Sequence, residues 1–224
     1  MEAPLKQSPL HHVARALGAT FSPHLGWNIA MRFDAPDTEE AALKTGVGIA
    51  DASWLGKLEL KGHQAELESI TIDAGKTWSL ARGHHFIACE PTRSGAIIES
   101  IEQQVSERKS EDQAWTGCIH VIDVTSVLAG ILLAGPHSRD VLQRLTAPDV
   151  SDSAFANGAC LSAKVAGLHA RIMRDDLDKT LAYWLFVGTE YAAYAWETIM
   201  HAGRPFGIMP VGQEAAQRLR SANQ

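Results

Sequence analysis

The sequence contains little cysteine and no long apolar run, and each absence excludes a class of protein. Its three cysteines, Cys89, Cys118 and Cys160, are odd in number and far apart, which argues against a disulfide framework and a Cys-x-x-Cys metal site. No run of 18 apolar residues is present, so no segment has the pattern of a membrane-spanning helix. The first residues lack the charged and then apolar layout of a secretory signal. We therefore expect a cytoplasmic protein that does not enter a membrane.

The chain also lacks an excess of positive charge. Its 224 residues carry a formal net charge of −6 and an isoelectric point near 5.9, which provides no basic field to attract nucleic acid. The apolar fraction of 46% and the charged fraction of 21% are ordinary for a globular protein. This length suits one large domain or two closely associated lobes.

Several motifs that carry chemistry are missing. There is no Gly-x-Gly-x-x-Gly and no Gly-x-Ser-x-Gly. The sequence therefore lacks the motifs that indicate dinucleotide binding and hydrolase chemistry with a nucleophile elbow. Gly75-Lys76-Thr77 resembles part of a phosphate loop, but Ile70 stands where that loop needs glycine. Ten histidines form no chelating spacing, and we expect no metal site. The acidic pair Asp175-Asp176 is interpreted as part of a turn rather than a site for a metal or a cationic substrate.

The most informative feature present is a phrase that occurs twice. Asp51-Ala52-Ser53 and Asp123-Val124-Thr125 each precede an apolar strand, a glycine and a helix. Two copies are too few for a solenoid; they indicate two related lobes, approximately residues 1–108 and 117–224, with a polar connector over 103–116. Strands and helices alternate in short blocks, which favours an α+β fold of antiparallel or mixed sheets over a doubly wound sheet. Small molecules often bind where two lobes meet, and we expect a ligand there.

Local patterns predict individual elements. Asp37-Thr-Glu-Glu40 has the form of a capping box, so a helix is expected from there to Thr45. The segment from Lys57 to Lys61 alternates charged and apolar residues, which predicts a strand with one wet face. The segment from Val127 to Ala134 lacks this alternation and is expected to form a central strand covered on both sides. Further helices are predicted at 9–18, 64–70, 93–105, 136–145, 190–202 and 213–222, and further strands at 84–89 and 183–187.

Tryptophan is relatively abundant, with six residues. Trp27, Trp54, Trp78 and Trp184 lie at predicted strand starts or in irregular segments. An indole fills a seam between lobes as readily as it stacks on a flat aromatic ligand, and both interpretations stay open at this stage.

Four segments, in the same order, are similar to segments of one protein family. Gly26-Trp27-Asn28-Ile29 resembles Gly-Gly-Trp-Asp-Met, and residues 48–57 resemble Gly-Leu-Phe-Asp-Val-Ser-His-Met-Gly-Lys. Residues 133–142 resemble a Leu-Gln-Gly-Pro-x-Ser segment, and residues 174–187 align without gaps to Arg-x-x-Tyr-Thr-Gly-Glu-x-Gly-Phe-Glu. Over residues 8–219 the chain therefore resembles the aminomethyltransferase family, which comprises the T-protein of the glycine cleavage system and its folate-binding relatives.

This resemblance implies a ferredoxin-like lobe and a Greek-key-like sheet around a folate-sized hole, with tetrahydrofolate as the cofactor of a one-carbon transfer. It places cofactor contacts at Trp54, Leu55, Arg174, Tyr183 and Trp184. In the family a glutamate that faces the pterin occupies the position of Trp184, and an indole can only stack and donate one hydrogen bond. Arg174 is retained and is suited to hold a carboxylate tail.

Two further departures from the family bear on catalysis. The chain ends where the full-length enzymes continue into a C-terminal β-barrel, so we expect that barrel to be absent. The family's segment that ends in Gly-Gly-x-x-Asp-Asp is missing between Ile70 and Trp78. Asp73 is the nearest counterpart of the aspartate that acts in the family's one-carbon transfer.

This shortened form is most similar to the gamma subunits of heterotetrameric sarcosine oxidases, which work beside larger catalytic subunits. The similarity implies an accessory subunit of an amine-oxidising complex, partnered by larger flavin-dependent subunits or by self-association. One alternative is a stand-alone tetrahydrofolate-dependent aminomethyltransferase, in which the Asp73 carboxylate favours a cationic intermediate. The other is a non-catalytic interaction module.

Overall fold

The computed structural model describes residues 5–111 and 119–221. Cys118 and part of the predicted connector at 103–116 lie outside these described residues. The chain divides into two compact units. Unit 1 comprises the residues up to Trp54 and those from Val127 onward, and unit 2 comprises Leu55–Ser126. No helix within the described ranges is both long enough and apolar enough to cross a membrane.

Seven helices and thirteen strands are formed by the described residues. The helices are, in chain order, α1 (His11–Ala16), α2 (Pro36–Thr45), α3 (Gln64–Leu67), α4 (Ser94–Glu111), α5 (Ser138–Gln143), α6 (Ala192–Gly203) and α7 (Gln213–Ser221). The strands are β1 (Lys6–Gln7), β2 (Thr20–His24), β3 (Trp27–Arg32), β4 (Val47–Asp51), β5 (Gly56–Lys61), β6 (Lys76–Ala81), β7 (His84–Cys89), β8 (His120–Asp123), β9 (Leu128–Ala134), β10 (Cys160–Val165), β11 (Leu168–Arg174), β12 (Ala182–Gly188) and β13 (Ile208–Pro210). Short 3₁₀ turns occupy Pro91–Arg93, Thr189–Tyr191 and Arg204–Phe206.

Unit 1 contains a six-stranded sheet with the strand order β10-β11-β12-β9-β4-β13 and a three-stranded sheet with the order β1-β3-β2. β13 runs parallel to β4, and β1 runs parallel to β3; the other pairs are antiparallel. β9 is buried along its whole length, which confirms the central strand predicted from its unbroken apolar run. One face of the large sheet packs on α5 and α6, with Ile131, Leu185 and Trp196 in that core.

Unit 2 is a four-stranded antiparallel sheet in the order β6-β7-β5-β8. Leu58, Leu60 and Ile87 of this sheet pack against Ile97 and Ile101 of α4. Since both units combine antiparallel or mixed sheets with helices, the predicted α+β class is confirmed.

The prediction of a wet face on β5 is wrong. Lys57 is 0% exposed and Glu59 is 3% exposed, although both alternate with apolar residues as expected. Buried charges need partners. The Lys57 Nζ donates to the Leu55 carbonyl at 2.8 Å. Glu59 forms an ion pair with Lys61 at 2.7 Å, and the His84 Nε2 lies 3.2 Å from its carboxylate. The charged face is therefore buried, and both of its charged side chains have polar partners.

In unit 1 the first copy of the repeated phrase forms a hydrogen-bonded corner after β4. The Asp51 Oδ1 accepts a bond from the Ser53 N–H at 2.9 Å, an Asx turn that the Asp-x-Ser spacing permits. The Ala52 N–H donates to the Gly130 carbonyl at 2.9 Å, and the Gly130 N–H donates to the Ser53 hydroxyl at 3.1 Å. The phrase thereby joins the end of β4 to β9.

In unit 2 the second copy repeats the same set of bonds after β8. The Asp123 Oδ1 accepts from the Thr125 N–H at 2.8 Å, the Val124 N–H donates to the Lys57 carbonyl at 2.9 Å, and the Lys57 N–H donates to the Thr125 hydroxyl at 2.9 Å. Here the phrase joins the end of β8 to β5.

The repeat explains why the two compact units differ from the predicted lobes at 1–108 and 117–224. β4 and β5 flank the first copy, yet β4 pairs with β9 and β5 pairs with β8. Each copy therefore supplies one strand to the sheet of unit 1 and one strand to the sheet of unit 2. A boundary at the middle of the sequence does not describe this exchange of strands.

All seven helices of the described residues begin within two residues of their predicted positions. α2 begins at Pro36, and no side chain caps it, so the predicted capping box is wrong. Glu39, in the first part of α2, instead accepts the N–H groups of Phe33 and Asp34, which precede the helix. Thr189 opens a 3₁₀ turn, and α6 begins at Ala192.

Candidate functional site

The predicted cofactor residues on β11 and β12 lie on opposite faces of the large sheet. Arg174 is in register with Tyr183, and Met173 is in register with Trp184. Because successive side chains of a strand point to opposite faces, Arg174 and Tyr183 share one face and Trp184 lies on the other. The structure therefore brings Arg174 and Tyr183 together and separates them from Trp184.

Arg174 is almost buried and is committed to partners of its own chain. Its Nε and Nη2 donate to the two carboxylate oxygens of Asp176 at 3.1 and 3.0 Å, the paired geometry that arginine favours with carboxylates. Its Nη1 donates to the Asp152 Oδ1 at 2.5 Å and to the Phe155 carbonyl at 2.9 Å. The hydrogen bonds to Asp176 raise the pKa of Arg174. A ligand carboxylate would have to displace one of these acceptors.

Tyr183 belongs to the same network. It is 0% exposed, its hydroxyl donates to the Val150 carbonyl at 3.2 Å, and the Arg139 Nε approaches that hydroxyl at 3.4 Å. Its ring stacks on Phe155 with centroids 6.2 Å apart. Burial raises the pKa of Tyr183, so the phenol is neutral and holds the segment around Val150 against the sheet.

Trp184 lies on an apolar part of the opposite face. Its neighbours in register are Met173 on β11 and Leu132 on β9. The indole is 8% exposed, and its Nε1–H donates to the Asp175 carbonyl at 3.2 Å. An indole whose single donor is used in this way offers an aromatic surface rather than a charge.

Trp54 and Leu55 are consecutive but belong to different units. Trp54 is 8% exposed and contacts the His24 ring edge-on, with centroids 5.1 Å apart. Among the residues that the structure describes, its buried Nε1–H has no hydrogen-bond partner. Leu55 is half-buried, and its carbonyl accepts the Lys57 Nζ. An unpaired buried donor is costly, so Trp54 is suited to donate to an acceptor supplied from outside the described residues.

Asp73 is an exposed carboxylate of unit 2. It lines a groove of about 200 Å³ together with Arg93, which precedes α4, and Ser100, which lies within α4. The residues on either side of it, Ile72 and Ala74, pack against the core between the sheet and α4. Asp73 therefore lies on the helix-covered side of this sheet, whereas Lys57 and Glu59 lie on the other side.

The acidic pair at 175–176 forms part of a turn, as predicted. Leu177 and Thr180 exchange two backbone hydrogen bonds of 2.9 Å, and Asp178 has a φ of 55°, a conformation that aspartate tolerates better than most residues. Asp176 closes the turn by accepting the Ala182 N–H at 3.1 Å. No cluster of three or more histidine, cysteine or acidic side chains suited to a metal ion occurs in the described ranges.

Two members of the Arg174 network, Arg139 and Asp152, were not predicted from the sequence. The Arg139 Nη2 donates to the Asp152 Oδ1, which also accepts from Arg174. The one local signal was Asp149, whose side chain accepts the Ser151 N–H at 2.8 Å in an Asx turn. That turn positions Asp152. The partner of Asp152 is Arg174, which lies 22 residues further along the chain, so a local sequence pattern does not reveal this pair.

The residues predicted to hold tetrahydrofolate fit that group only in part. Trp54 and Trp184 are aromatic, but each is only 8% exposed, and the Trp54 Nε1–H has no hydrogen-bond partner among the described residues. Arg174 and Tyr183 face away from Trp184 and already have partners. On the Trp184 side no carboxylate is present among the predicted residues to pair with the donors of a pterin ring.

Comparisons with known proteins agree with the fold. The family sequence model described as the GCVT N-terminal domain matches residues 70–223. An aminomethyltransferase of Saccharopolyspora erythraea is 26% identical over 235 residues, which cover 96% of this chain and 63% of that protein. A sarcosine oxidase subunit alpha of Corynebacterium sp. (strain P-1) is 26% identical over 254 residues, which cover 97% of this chain and 26% of that protein. The chain thus spans less than two thirds of the length of these relatives.

Two solved structures share the fold. Aminomethyltransferase T of the glycine cleavage system from Bartonella henselae superimposes with a TM-score of 0.76 at 16% identity, over 96% of this chain and 62% of that chain. A chain of the heterotetrameric sarcosine oxidase from Corynebacterium sp. U-96, in complex with pyrrole 2-carboxylate, gives a TM-score of 0.63 at 14% identity, over 92% of this chain and 98% of that chain.

Proposed function

We propose that this chain, which belongs to the GCVT N-terminal domain family, is a folate-binding accessory subunit of an amine-oxidising complex. Two of the relatives support this proposal. The relative that is similar in sequence is a sarcosine oxidase subunit alpha. The relative that is similar in fold is a chain of a heterotetrameric sarcosine oxidase. The partners proposed for this chain are larger flavin-dependent subunits, and its proposed location is the cytoplasm.

The observation that carries the accessory role is the environment of Trp184. The resemblance to the aminomethyltransferases places a pterin-facing carboxylate at this position, and the chain has an indole there between Met173 and Leu132. A carboxylate pairs with two donors of a pterin, whereas an indole only stacks. Weaker recognition of the pterin is expected of a subunit that binds folate without performing the transfer itself.

The residues of unit 1 that are proposed to hold a folate are Trp54 and Trp184. Tetrahydrofolate, when bound, supplies the nitrogen that accepts a one-carbon unit. The chain's own contribution is to bind and orient the folate. The Trp184 ring offers a stacking surface, and the Trp54 Nε1–H offers a hydrogen-bond donor that has no partner among the described residues. Aromatic surfaces of this kind contribute about 0.5–1.5 kcal/mol beyond the burial of their area.

Calorimetric titration with tetrahydrofolate tests the folate proposal. Trp184→Phe keeps an aromatic face and Trp184→Leu removes it while remaining apolar, so the two variants are matched controls. We expect Trp184→Leu to weaken binding about tenfold, because about 1 kcal/mol of stacking is lost together with contact area. Trp184→Phe should retain most of the affinity. Absence of binding to the unaltered chain, or equal affinity in both variants, would count against a folate site at Trp184.

Purification of the chain from its native source tests the accessory role. A tag on the chain should recover larger subunits in fixed stoichiometry, with the visible absorbance of a flavin and with oxidase activity toward a secondary or tertiary amine such as sarcosine. Recovery of the chain alone, at native concentration and in mild buffer, would overturn the accessory role while leaving the folate proposal to the titration.

A stand-alone aminomethyltransferase is the second candidate, and the accessibility of Asp73 favours it. This exposed carboxylate beside Arg93 is free of the packing that encloses Ile72 and Ala74. If the chain transfers a one-carbon unit by itself, Asp73→Asn should lower turnover by at least about a hundredfold, a usual loss for a charge-stabilising group. Equal activity in Asp73→Asn and in the unaltered chain would exclude a catalytic role for this residue.

A further inference from the structure

We propose that a cationic cavity in unit 1 binds a small oxyanion, a phosphate or carboxylate group, in place of the Asp152 side chain. The cavity has a volume of about 340 Å³. Its charged lining consists of four basic and two acidic side chains: Lys44, Arg139, Arg174, Lys179, Asp152 and Asp176. The chain as a whole carries a net charge of −6, so this local excess of positive charge is not a consequence of its composition.

Asp176 is a fixed counter-ion and would not give way to a ligand. Its side chain is 13% exposed, and its carboxylate accepts the Arg174 Nε and Nη2 and the Ala182 N–H. Since three hydrogen bonds hold it inside the turn, it neutralises Arg174 permanently. It therefore offsets only one of the four basic side chains.

Asp152 is held much less firmly. Its side chain is 66% exposed, and the single oxygen Oδ1 accepts from both the Arg139 Nη2 and the Arg174 Nη1. Its carboxylate thus occupies the point where two guanidinium groups converge, while remaining open to solvent. Exposed ion pairs contribute little to stability, so an external anion competes with Asp152 at small cost.

The remaining basic groups are placed to receive that anion. Lys179 lines the same cavity and is exposed, and no hydrogen-bond or ion-pair partner of its ammonium group is found in the part of the chain that the structure describes. Lys44 is paired with Glu40. The Arg139 Nη2 and the Arg174 Nη1, which now hold Asp152, and the Lys179 ammonium group are charged donors of the kind that bind phosphate and carboxylate oxygens. Asp152 therefore acts as an internal competitor for an oxyanion site built from Arg139, Arg174 and Lys179.

The proposed oxyanion site is independent of the proposed folate site. Arg174 faces away from Trp184 in the register of β11 and β12, and inorganic phosphate and succinate contain no pterin. Failure of the folate titration would leave the oxyanion site untouched, and the reverse also holds.

Thermal unfolding of the full chain in rising concentrations of inorganic phosphate, and separately of succinate, tests the site. Sodium chloride keeps the ionic strength constant. We expect a saturable rise in Tm with at least one of the two anions; a response to phosphate alone identifies a phosphate-binding site, and a response to succinate identifies a carboxylate-binding site. No rise with either anion beyond that in chloride would overturn the proposal.

Two variants give effects of opposite sign. Asp152→Asn removes the competing charge, so the apparent affinity for the anion should rise about three- to tenfold. Lys179→Gln should lower it about threefold without changing Tm in chloride, whereas Lys164→Gln, an exposed lysine on β10 outside the cavity, should leave it unchanged. Weaker binding in a folded Asp152→Asn protein, or equal binding in the two lysine variants, would overturn the site. The two lysine variants decide the matter alone if Asp152→Asn does not fold.

Discussion

The Ser53 hydroxyl bonds both backbone groups of Gly130, a residue 77 positions further along the chain. It accepts the Gly130 N–H at 3.1 Å and donates to the Gly130 carbonyl at 3.3 Å. A Cβ on Gly130 would lie 2.7 Å from the Ala52 carbonyl oxygen, so this close approach requires glycine. The hydroxyl thus joins the first copy of the repeated phrase to the strand that follows the second copy.

Replacement of Ser53 should lower the free energy of unfolding, although it removes only one hydroxyl group. Ser53 is 1% exposed, and Ser53→Ala would leave the Gly130 N–H without this buried acceptor. We expect the free energy of unfolding to fall by about 1–3 kcal/mol. Urea unfolding measures the change, and Ser162→Ala, at an exposed position of β10, is the control that should stay within about 0.5 kcal/mol. Equal stability of the two variants would contradict a structural role for this bond.

The second copy of the phrase should respond in the same direction but less strongly. Thr125 makes the equivalent bond to the Lys57 N–H at 2.9 Å, but it is only half-buried. Thr125→Val retains the branched shape and removes the hydroxyl, and water can reach the groups left behind. We expect a loss of about 0.5–1.5 kcal/mol, measured by the same urea unfolding. A loss larger than that of Ser53→Ala would show that burial does not set the order of the two effects.

Glu39 should be among the most sensitive acidic residues of the chain. It is 0% exposed, and its two oxygens accept the N–H groups of Phe33 at 2.5 Å, Asp34 at 2.8 Å and Gly212 at 2.7 Å. Glu39→Gln places an amide donor against backbone donors, and we expect a loss of about 2–3 kcal/mol in the free energy of unfolding. Thermal unfolding compares it with Glu40→Gln; the half-buried Glu40 carboxylate forms an i, i+4 pair with the exposed Lys44, and its loss should have little effect. A stable Glu39→Gln protein would show that the three bonds are dispensable.

Acid should weaken the network around Asp152. The hydrogen bond from Arg174 lowers the pKa of the Asp152 carboxyl below its ordinary value of 3.8. A carboxyl with a lowered pKa in the folded protein stabilises the fold above its ordinary pKa, and this stabilisation is lost as the pH falls through the lowered value. The decline in Tm below about pH 4 should therefore be shallower in Asp152→Asn than in the unaltered chain. Parallel Tm profiles from pH 6 to pH 2 would show that Asp152 contributes nothing to acid sensitivity.

The local elements were predictable because their patterns are short. The apolar run before Ala134 indicated a strand covered on both sides, and β9 is buried throughout. The acidic pair before Leu177 indicated a turn, and Leu177 and Thr180 close one. In each case the deciding interactions involve neighbours in the chain, so composition and periodicity were sufficient.

The resemblance proposed which residues form the candidate site, and the structure decided how those residues are arranged. The resemblance named Arg174, Tyr183 and Trp184 together, yet the register of β11 and β12 places Trp184 on the other face. Alternation along β12 already separated Tyr183 from Trp184; only the pairing of β11 with β12 placed Arg174 beside Tyr183. Arg139 and Asp152 were missed because Asp152 pairs with Arg139 and with Arg174, and Arg174 lies 22 residues further along the chain.

The sequence by itself determined the α+β class, the family and the repeated Asp-x-Ser/Thr phrase, because these depend on residue types within short segments. Only the tertiary structure decided that β4 pairs with β9 and β5 with β8, and that Lys57 and Glu59 are buried. It also decided that Asp152 holds Arg139 and Arg174 together. Pairing between distant strands and compensation of buried charge depend on partners tens of residues away, and no local pattern specifies which partner is chosen.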